Sequence, residues 1–151
     1  MKNTKLFAFI IGFICLQFAW SQPGNYQVDV NSFAYTPSSL EIEAGSTITW
    51  VNIGGLHDVN FIINSITGES FDNPESFELN AVYSSGSENA VEIGSWTFNV
   101  EGTYNYDCSI GTHAIQGMVG TIVVIPQGEY PGCMDTGACN FNNIANIDDG
   151  S

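Results

Sequence analysis

Apolar and polar residues alternate with a period of two through most of the chain. Tyr26, Val28 and Val30 form the first such set, Leu40 and Ile42 the second, and Ile48 and Trp50 the third. Phe77, Leu79, Ala81 and Tyr83 repeat the pattern, as do Trp96, Phe98 and Val100, and then Tyr104, Tyr106 and Cys108. Val119 to Ile125 is a short apolar run of strand length. A period of two turns one face of each segment toward a core, so each predicts a β-strand. Turn-forming residues fill the gaps: Thr36-Pro37-Ser38, Ala44-Gly45-Ser46, Asn52 to Gly55, Ser84 to Asn89 and Glu101-Gly102. Asn64 to Ser76 carries few strand signals and is read as an excursion with room for a short helical turn. No stretch has the pattern of a three-turn amphipathic helix. Many short strands with frequent turns predict an all-β Greek-key sandwich.

Gly102-Thr103-Tyr104 has the form of a tyrosine corner, in which a phenol ties down the chain before a strand; an ordinary core aromatic fits Tyr104 equally well. The two ends of the chain fall outside the strand pattern. Lys2 and Lys5 precede an uncharged, mostly apolar run from Leu6 to Trp20, and Ala19-Trp20-Ser21 offers a cleavage site. Residues 1–21 are therefore expected to be a signal peptide, because the run is short for a membrane span of ~20 apolar residues. Cys15 leaves with it. Residues 22–126 form the predicted sandwich, 127–132 a linker, and 133–151 a tail rich in Cys, Asn and Asp.

Export changes the electrostatics. All 16 acidic residues follow Ser21, both lysines precede it and there is no arginine, so the mature formal charge is −16. Such a field attracts basic partners and argues against nucleic acid and anionic membranes. Adaptation to salty water accounts for the acidity equally well. Asn146, Asp148 and Asp149 offer oxygen ligands of the kind calcium takes, without EF-hand spacing, or are simply a solvated acidic tail.

Candidate chemistry comes from scarcity. The mature chain keeps two His, two Met and three Cys, and Cys133 and Cys139 lie close in sequence, which leaves Cys108 alone. A lone Cys in an exported protein needs a reason, and metal ligation is one. Cys108, His113 and Met118 fall into a C-x4-H-x4-M pattern, and His57 lies upstream. One thiolate, two imidazoles and one thioether suit copper, which must be held in both Cu(I) and Cu(II) states. The same set is poor for zinc. A binuclear copper centre needs a second loop Cys, and a copper oxidase needs further His, so the mature chain is not expected to be an enzyme.

The segments "LEIEAGSTITWVNIGGLHDVNF" and "GTYNYDCSIGTHAIQGMVGTIVV" resemble the two copper-binding regions of plastocyanin/azurin-type cupredoxins. The resemblance implies a sandwich of about eight strands, one type 1 (blue) copper and one-electron transfer. It makes His57 the first ligand, Cys108 the thiolate, His113 the second imidazole and Met118 the axial thioether. Three departures stand out. The Cys108–His113 gap is longer than in plastocyanin. Asp58 replaces the usual Asn; it can accept a hydrogen bond from Ser109 but as a carboxylate donates none. Asp107 stands where plastocyanin has the Tyr of a remote electron route.

The expected electron portal is the outer edge of His113, flanked by Leu56, Ile110, Ala114 and Ile115 as an exposed apolar patch. The function this implies is an electron carrier between redox protein partners with basic docking surfaces, in the periplasm or outside the cell. The alternative is a copper-binding recognition module of a larger secreted or surface protein, which the tail, similar to a repeat of large secreted bacterial proteins, favours.

Overall fold

The computed structural model describes residues 23–143 and 145–151; the signal peptide expected at 1–21 lies outside them. Eight strands build the body: β1 (Asn25–Asn31), β2 (Ala34–Thr36), β3 (Ser39–Glu43), β4 (Ser46–Asn60), β5 (Glu78–Ser84), β6 (Val91–Phe98), β7 (Gly102–Asp107) and β8 (Val119–Ile125). Two short strands, β9 (Pro131–Gly132) in the expected linker and β10 (Ile147–Asp148) in the tail, pair with each other. A single 3-10 turn, Ser87–Asn89, is the helical content of the described residues. No helix among them is long and apolar enough to cross a membrane.

The long strand β4 joins two layers. Its first half pairs with β1 in parallel and with β6 antiparallel. Its second half pairs with β5 and meets β7 through Asn60 and Asp107. β7 continues antiparallel into β8, and β8 runs parallel to β3. The result is the expected all-β sandwich of eight strands. Trp50 sits at its centre, with ring centroids of Phe61 at 5.7 Å, Tyr106 at 5.9 Å and Phe98 at 6.4 Å. Phe61 in turn stacks on Phe77 at 4.2 Å and on Tyr106 at 4.7 Å. Aromatic pairs of this kind add ~1 kcal/mol each beyond their burial.

Asn52 to Gly55 is not the break that its composition predicts. β4 runs through it with a kink, because the buried Asn52 amide satisfies the backbone there. Asn52 Nδ2 donates to the carbonyls of Gly55 (2.8 Å) and Val82 (2.7 Å), and its Oδ1 accepts from Gly54 N–H (2.9 Å). The kink also switches which residues face inward. Ser46, Ile48, Trp50 and Asn52 are buried before it, and His57 and Val59 after it.

A second parity change corrects β5. Ala81 and Tyr83 are exposed, while Ser84 is buried. Between the pairs His57–Val82 and Val59–Leu79, β5 carries one extra residue, and such a bulge flips every side chain beyond it. Val100 is likewise exposed, in the turn after β6 rather than on it. Both readings of Tyr104 hold at once: it is fully buried, and its hydroxyl donates to the Val100 carbonyl (2.8 Å), forming the corner. The excursion turns at Asn64, whose Oδ1 accepts from Ile66 and Thr67 N–H (2.9 and 3.1 Å).

Beyond β8, Tyr130 is buried, and its hydroxyl donates to Glu43 Oε2 at 3.0 Å. β8 runs from beside Met118 to Ile125, so this contact lies at the end of the sandwich opposite the 108–118 loop. In the tail, Asp148 and Asp149 each accept a local backbone N–H at 3.0 Å, and Asn146 bonds Tyr130 N–H and the Gly128 carbonyl.

Candidate metal centre

His57 reaches the interior because of the kink in β4. Gly55 holds φ at +95°, a conformation that side chains rarely adopt. A Cβ at Gly55 would also lie 2.7 Å from His57 Nε2. That nitrogen is 3.0 Å from the Gly54 carbonyl, which can only accept, so the tautomer carries its proton on Nε2 and keeps the Nδ1 lone pair free. Burial lowers the pKa of His57 below its ordinary value, which favours the neutral imidazole a metal needs.

Cys108 directly follows β7, and its N–H donates to the Met118 carbonyl (3.2 Å), extending the β7–β8 ladder by one rung. The intervening loop is wound tightly. His113 N–H donates to the Ile110 carbonyl (3.0 Å) and Met118 N–H returns to the His113 carbonyl (3.0 Å). Gly111 and Gly117, at φ +55° and +100°, permit the two reversals. Cys108 Sγ therefore lies 3.3 Å from His113 Nδ1 and 3.9 Å from His57 Nδ1. One ligand atom from each of the three residues falls within 4.8 Å of the others. Met118 is fully buried at the start of the next strand. Among the described residues this is the one group of three or more His, Cys, Asp or Glu arranged to hold a metal ion.

Two sets of contacts brace the site. Asp58 Oδ1 accepts the Ser109 N–H (2.8 Å) and its Oδ2 accepts the Ser109 hydroxyl, tying the His57 strand to the Cys108 loop. The buried Tyr35 donates its hydroxyl to the Asp58 carbonyl at 2.7 Å. One residue before the thiol, buried Asp107 accepts from Asn60 Nδ2 (2.8 Å), Ser65 Oγ (2.9 Å) and Ser65 N–H (2.6 Å). Asp107 thus fastens β7 to the end of β4 and to the excursion. No local sequence signal marks Asn60, Ser65 or Tyr35, whose roles arise from contacts between distant segments.

The apolar patch differs from expectation at one position. Leu56 and Ile115 are exposed and Ile110 is half-buried, but Ala114 is only 3% exposed. The tight 112–117 turn, closed by Gly117 N–H on the Ala114 carbonyl (2.9 Å), puts Ala114 inside and Ile115 outside. Phe33, outside the expected patch, stands beside His113 with its ring edge-on at 4.7 Å and is 42% exposed.

Residues 23–125 match the copper binding proteins of the plastocyanin/azurin family. Plastocyanin from Scenedesmus fuscus is 35% identical over 98 residues, 64% of this chain and 91% of that protein. Chloroplastic plastocyanin from Pisum sativum is 35% identical over 96 residues; the match covers 60% of this chain and 51% of the pea protein. Similar solved structures include an oxidized mutant of amicyanin (26% identity, 66% of this chain, 81% of that chain, TM-score 0.47). Another is dithionite-reduced auracyanin from Roseiflexus castenholzii (17% identity, 70% of this chain, 100% of that chain, TM-score 0.47). Matched over more than half its length, the chain belongs to the plastocyanin/azurin family of copper-binding proteins, the cupredoxins, which are electron carriers rather than enzymes.

Proposed function

We propose that the protein shuttles single electrons between redox partners outside the cytoplasm, using one copper held by His57, Cys108, His113 and Met118. The observation that carries this reading is the convergence of a thiol sulfur and two imidazole Nδ1 atoms from two separate segments at one end of the sandwich. Bound there, copper supplies the Cu(I)/Cu(II) couple. The chain's task is to keep its ligands still. The Gly54 carbonyl fixes the His57 ring, the β7–β8 ladder fixes Cys108 against Met118, and Asp58 locks the two ligand segments together. The outer edge of His113, with Phe33, Leu56, Ile110 and Ile115, is the surface a partner touches. Basic residues on that partner would answer a chain that has no Lys or Arg after residue 5. Export rests on the amino-terminal sequence. In this reading residues 22–126 are the functional domain and 133–151 an appended module. Addition of Cu(II) to the purified protein is expected to give an intense blue or green thiolate-to-copper band, and a colourless protein would overturn the reading. Fast self-exchange separates a carrier from a binding module of a larger protein.

Copper uptake should depend on pH. Burial pushes the Cys108 thiol up to about 12, so the metal-free protein holds that proton throughout the neutral range. Ligation as thiolate releases it, so affinity is expected to rise about tenfold per pH unit between pH 7 and 9. Competition with a Cu(I) chelator at several pH values measures this; a flat profile would mean that binding releases no proton from Cys108, because the thiol is already ionised at pH 7 or is not a ligand.

Asp58→Asn should raise the reduction potential. Asparagine can keep both contacts to Ser109, accepting from its N–H and donating to its hydroxyl. What changes is one negative charge beside the ligands, which favours Cu(II) over Cu(I). Its loss would remove a through-space preference for Cu(II) that solvent screening weakens, so the expected shift is upward and on the order of tens of millivolts. Voltammetry reads the shift, and a fall in potential would refute the assigned sign.

A further inference from the structure

The turn joining β1 to β2 is strained. Ser32 and Phe33 both lie in the left-handed region, at φ +47° and +62°, and neither is glycine. Two-residue hairpin turns that need two positive φ angles are served best by Asn-Gly or Gly-Gly. A chain that only had to reverse here would not place a Phe at one of these positions, and strain of this kind persists where the surroundings hold it.

The surroundings here are the metal centre. The turn is pressed onto the kink of β4. The β1–β4 register shifts between Val30 and Asn31 so that Asn31 pairs with Gly54, and a Cβ on Gly54 would lie 2.9 Å from Asn31 Oδ1. Ser32 Oγ donates to the same oxygen at 3.0 Å. Held this way, Phe33 forms one wall of an open cleft of about 470 Å³, with Leu56, Ile110, His57 and His113 on the other sides.

The two histidines are held differently. The His57 ring is anchored by its Nε2 contact to the Gly54 carbonyl. Among the described residues, the one polar contact recorded for the His113 ring is that of Nδ1 with Cys108 Sγ. Two rings lie beside it: Phe33 at 4.7 Å and 75°, and His57 at 5.0 Å and 52°. We propose that Phe33 is a positioning residue for His113, restraining by edge-to-face packing the imidazole that no hydrogen bond restrains from its outer side. The strained turn is what aims it. A fixed His113 ring rearranges little when an electron arrives or leaves. The inference rests on the proposed copper ligation by His113 but concerns the chain's own packing, which the metal-free protein also has.

The test uses Phe33→Leu, Phe33→Tyr and Ser32→Gly in the full mature chain. In metal-free protein, NMR of the His113 ring is expected to show sharp signals in the wild type. Exchange broadening should appear in Phe33→Leu and be absent in Phe33→Tyr, which keeps the ring. Ser32→Gly, which relieves strain without touching the ring, should raise the melting temperature and leave His113 unchanged. After copper loading, Phe33→Leu should keep the blue band and slow self-exchange about tenfold. Sharp His113 signals together with unchanged self-exchange in Phe33→Leu would overturn the role of Phe33 and leave the copper reading intact. A wild type without a blue band would overturn the copper reading instead.

Discussion

Cys108→Ser is expected to leave a folded protein that binds copper without intense colour. The intense visible transition of such a site moves charge from thiolate sulfur to copper, so it requires the sulfur itself. A serine hydroxyl is a far poorer ligand for either oxidation state. Losing even an outer partner of a ligand costs 10–100-fold in metal affinity, so losing the thiolate is expected to cost at least about a thousandfold, roughly 4 kcal/mol. The fold should survive. Cys108 is 1% exposed, and a hydroxyl in its place meets an imidazole nitrogen now 3.3 Å from the sulfur, so the buried polar group has a partner. The metal-free variant should therefore unfold within about 1 kcal/mol of the wild type. Denaturant unfolding and copper titration separate the two effects. A variant that stays blue would remove Cys108 from the ligand set, and a variant that fails to fold would assign the thiol a structural duty.

Much of this site was legible in the chain because the signals are local. Cys108, His113 and Met118 lie within one loop and its flanking strands, and their scarcity marks them without any tertiary information. Tyr104 and Tyr106 share the parity of Cys108, so the direction of its side chain could be read from alternation. What failed to show was set by contacts between distant segments. β2 has three residues, too few for a pattern. The β5 bulge adds one residue opposite β4, and in one dimension an inserted residue looks like irregular spacing rather than a flip of faces. The kink at Gly54 and Gly55 read as a loop because its composition is that of a loop; only the Asn52 amide, bonding across to Val82, keeps it in the sheet. Phe33 and His113 are 80 positions apart, and no spacing rule joins them. Ala114 shows the limit of reading exposure from neighbours: a tight turn exposes alternate residues according to its own hydrogen bonds, not according to their distance in sequence from a ligand.

Gly120→Ala is expected to be the most damaging single-methyl change in the sandwich. Gly120 pairs with Tyr106 across β8 and β7. A Cβ there would lie 2.2 Å from Tyr106 Cζ and 2.5 Å from both Cε1 and the hydroxyl oxygen. The ring is packed on its inner side, while a cleft of about 280 Å³ opens beside Tyr106 and Gly120. Tyr106 is 1% exposed and packs against Tyr35 and Phe61, each 4.7 Å away, and against Trp50 at 5.9 Å. Interiors packed to crystal-like density absorb such an overlap only by moving backbone or ejecting a side chain. The cost should reach the top of the usual overpacking range, about 3 kcal/mol, and lower the melting temperature by roughly 10 °C. Tyr106→Leu removes the obstructing ring and should be costly alone, but in the Gly120→Ala background the two losses should sum to less than their separate values by more than ~1 kcal/mol. The effect should also reach the metal. Cys108 lies two residues beyond Tyr106 and Met118 two before Gly120, on the same inward face, so a displaced β8 would pull at the Cys108–Met118 rung. Strict additivity of the two changes would mean that the Tyr106 ring can move aside at little cost, and that the two strands beneath the site yield more readily than their packing implies.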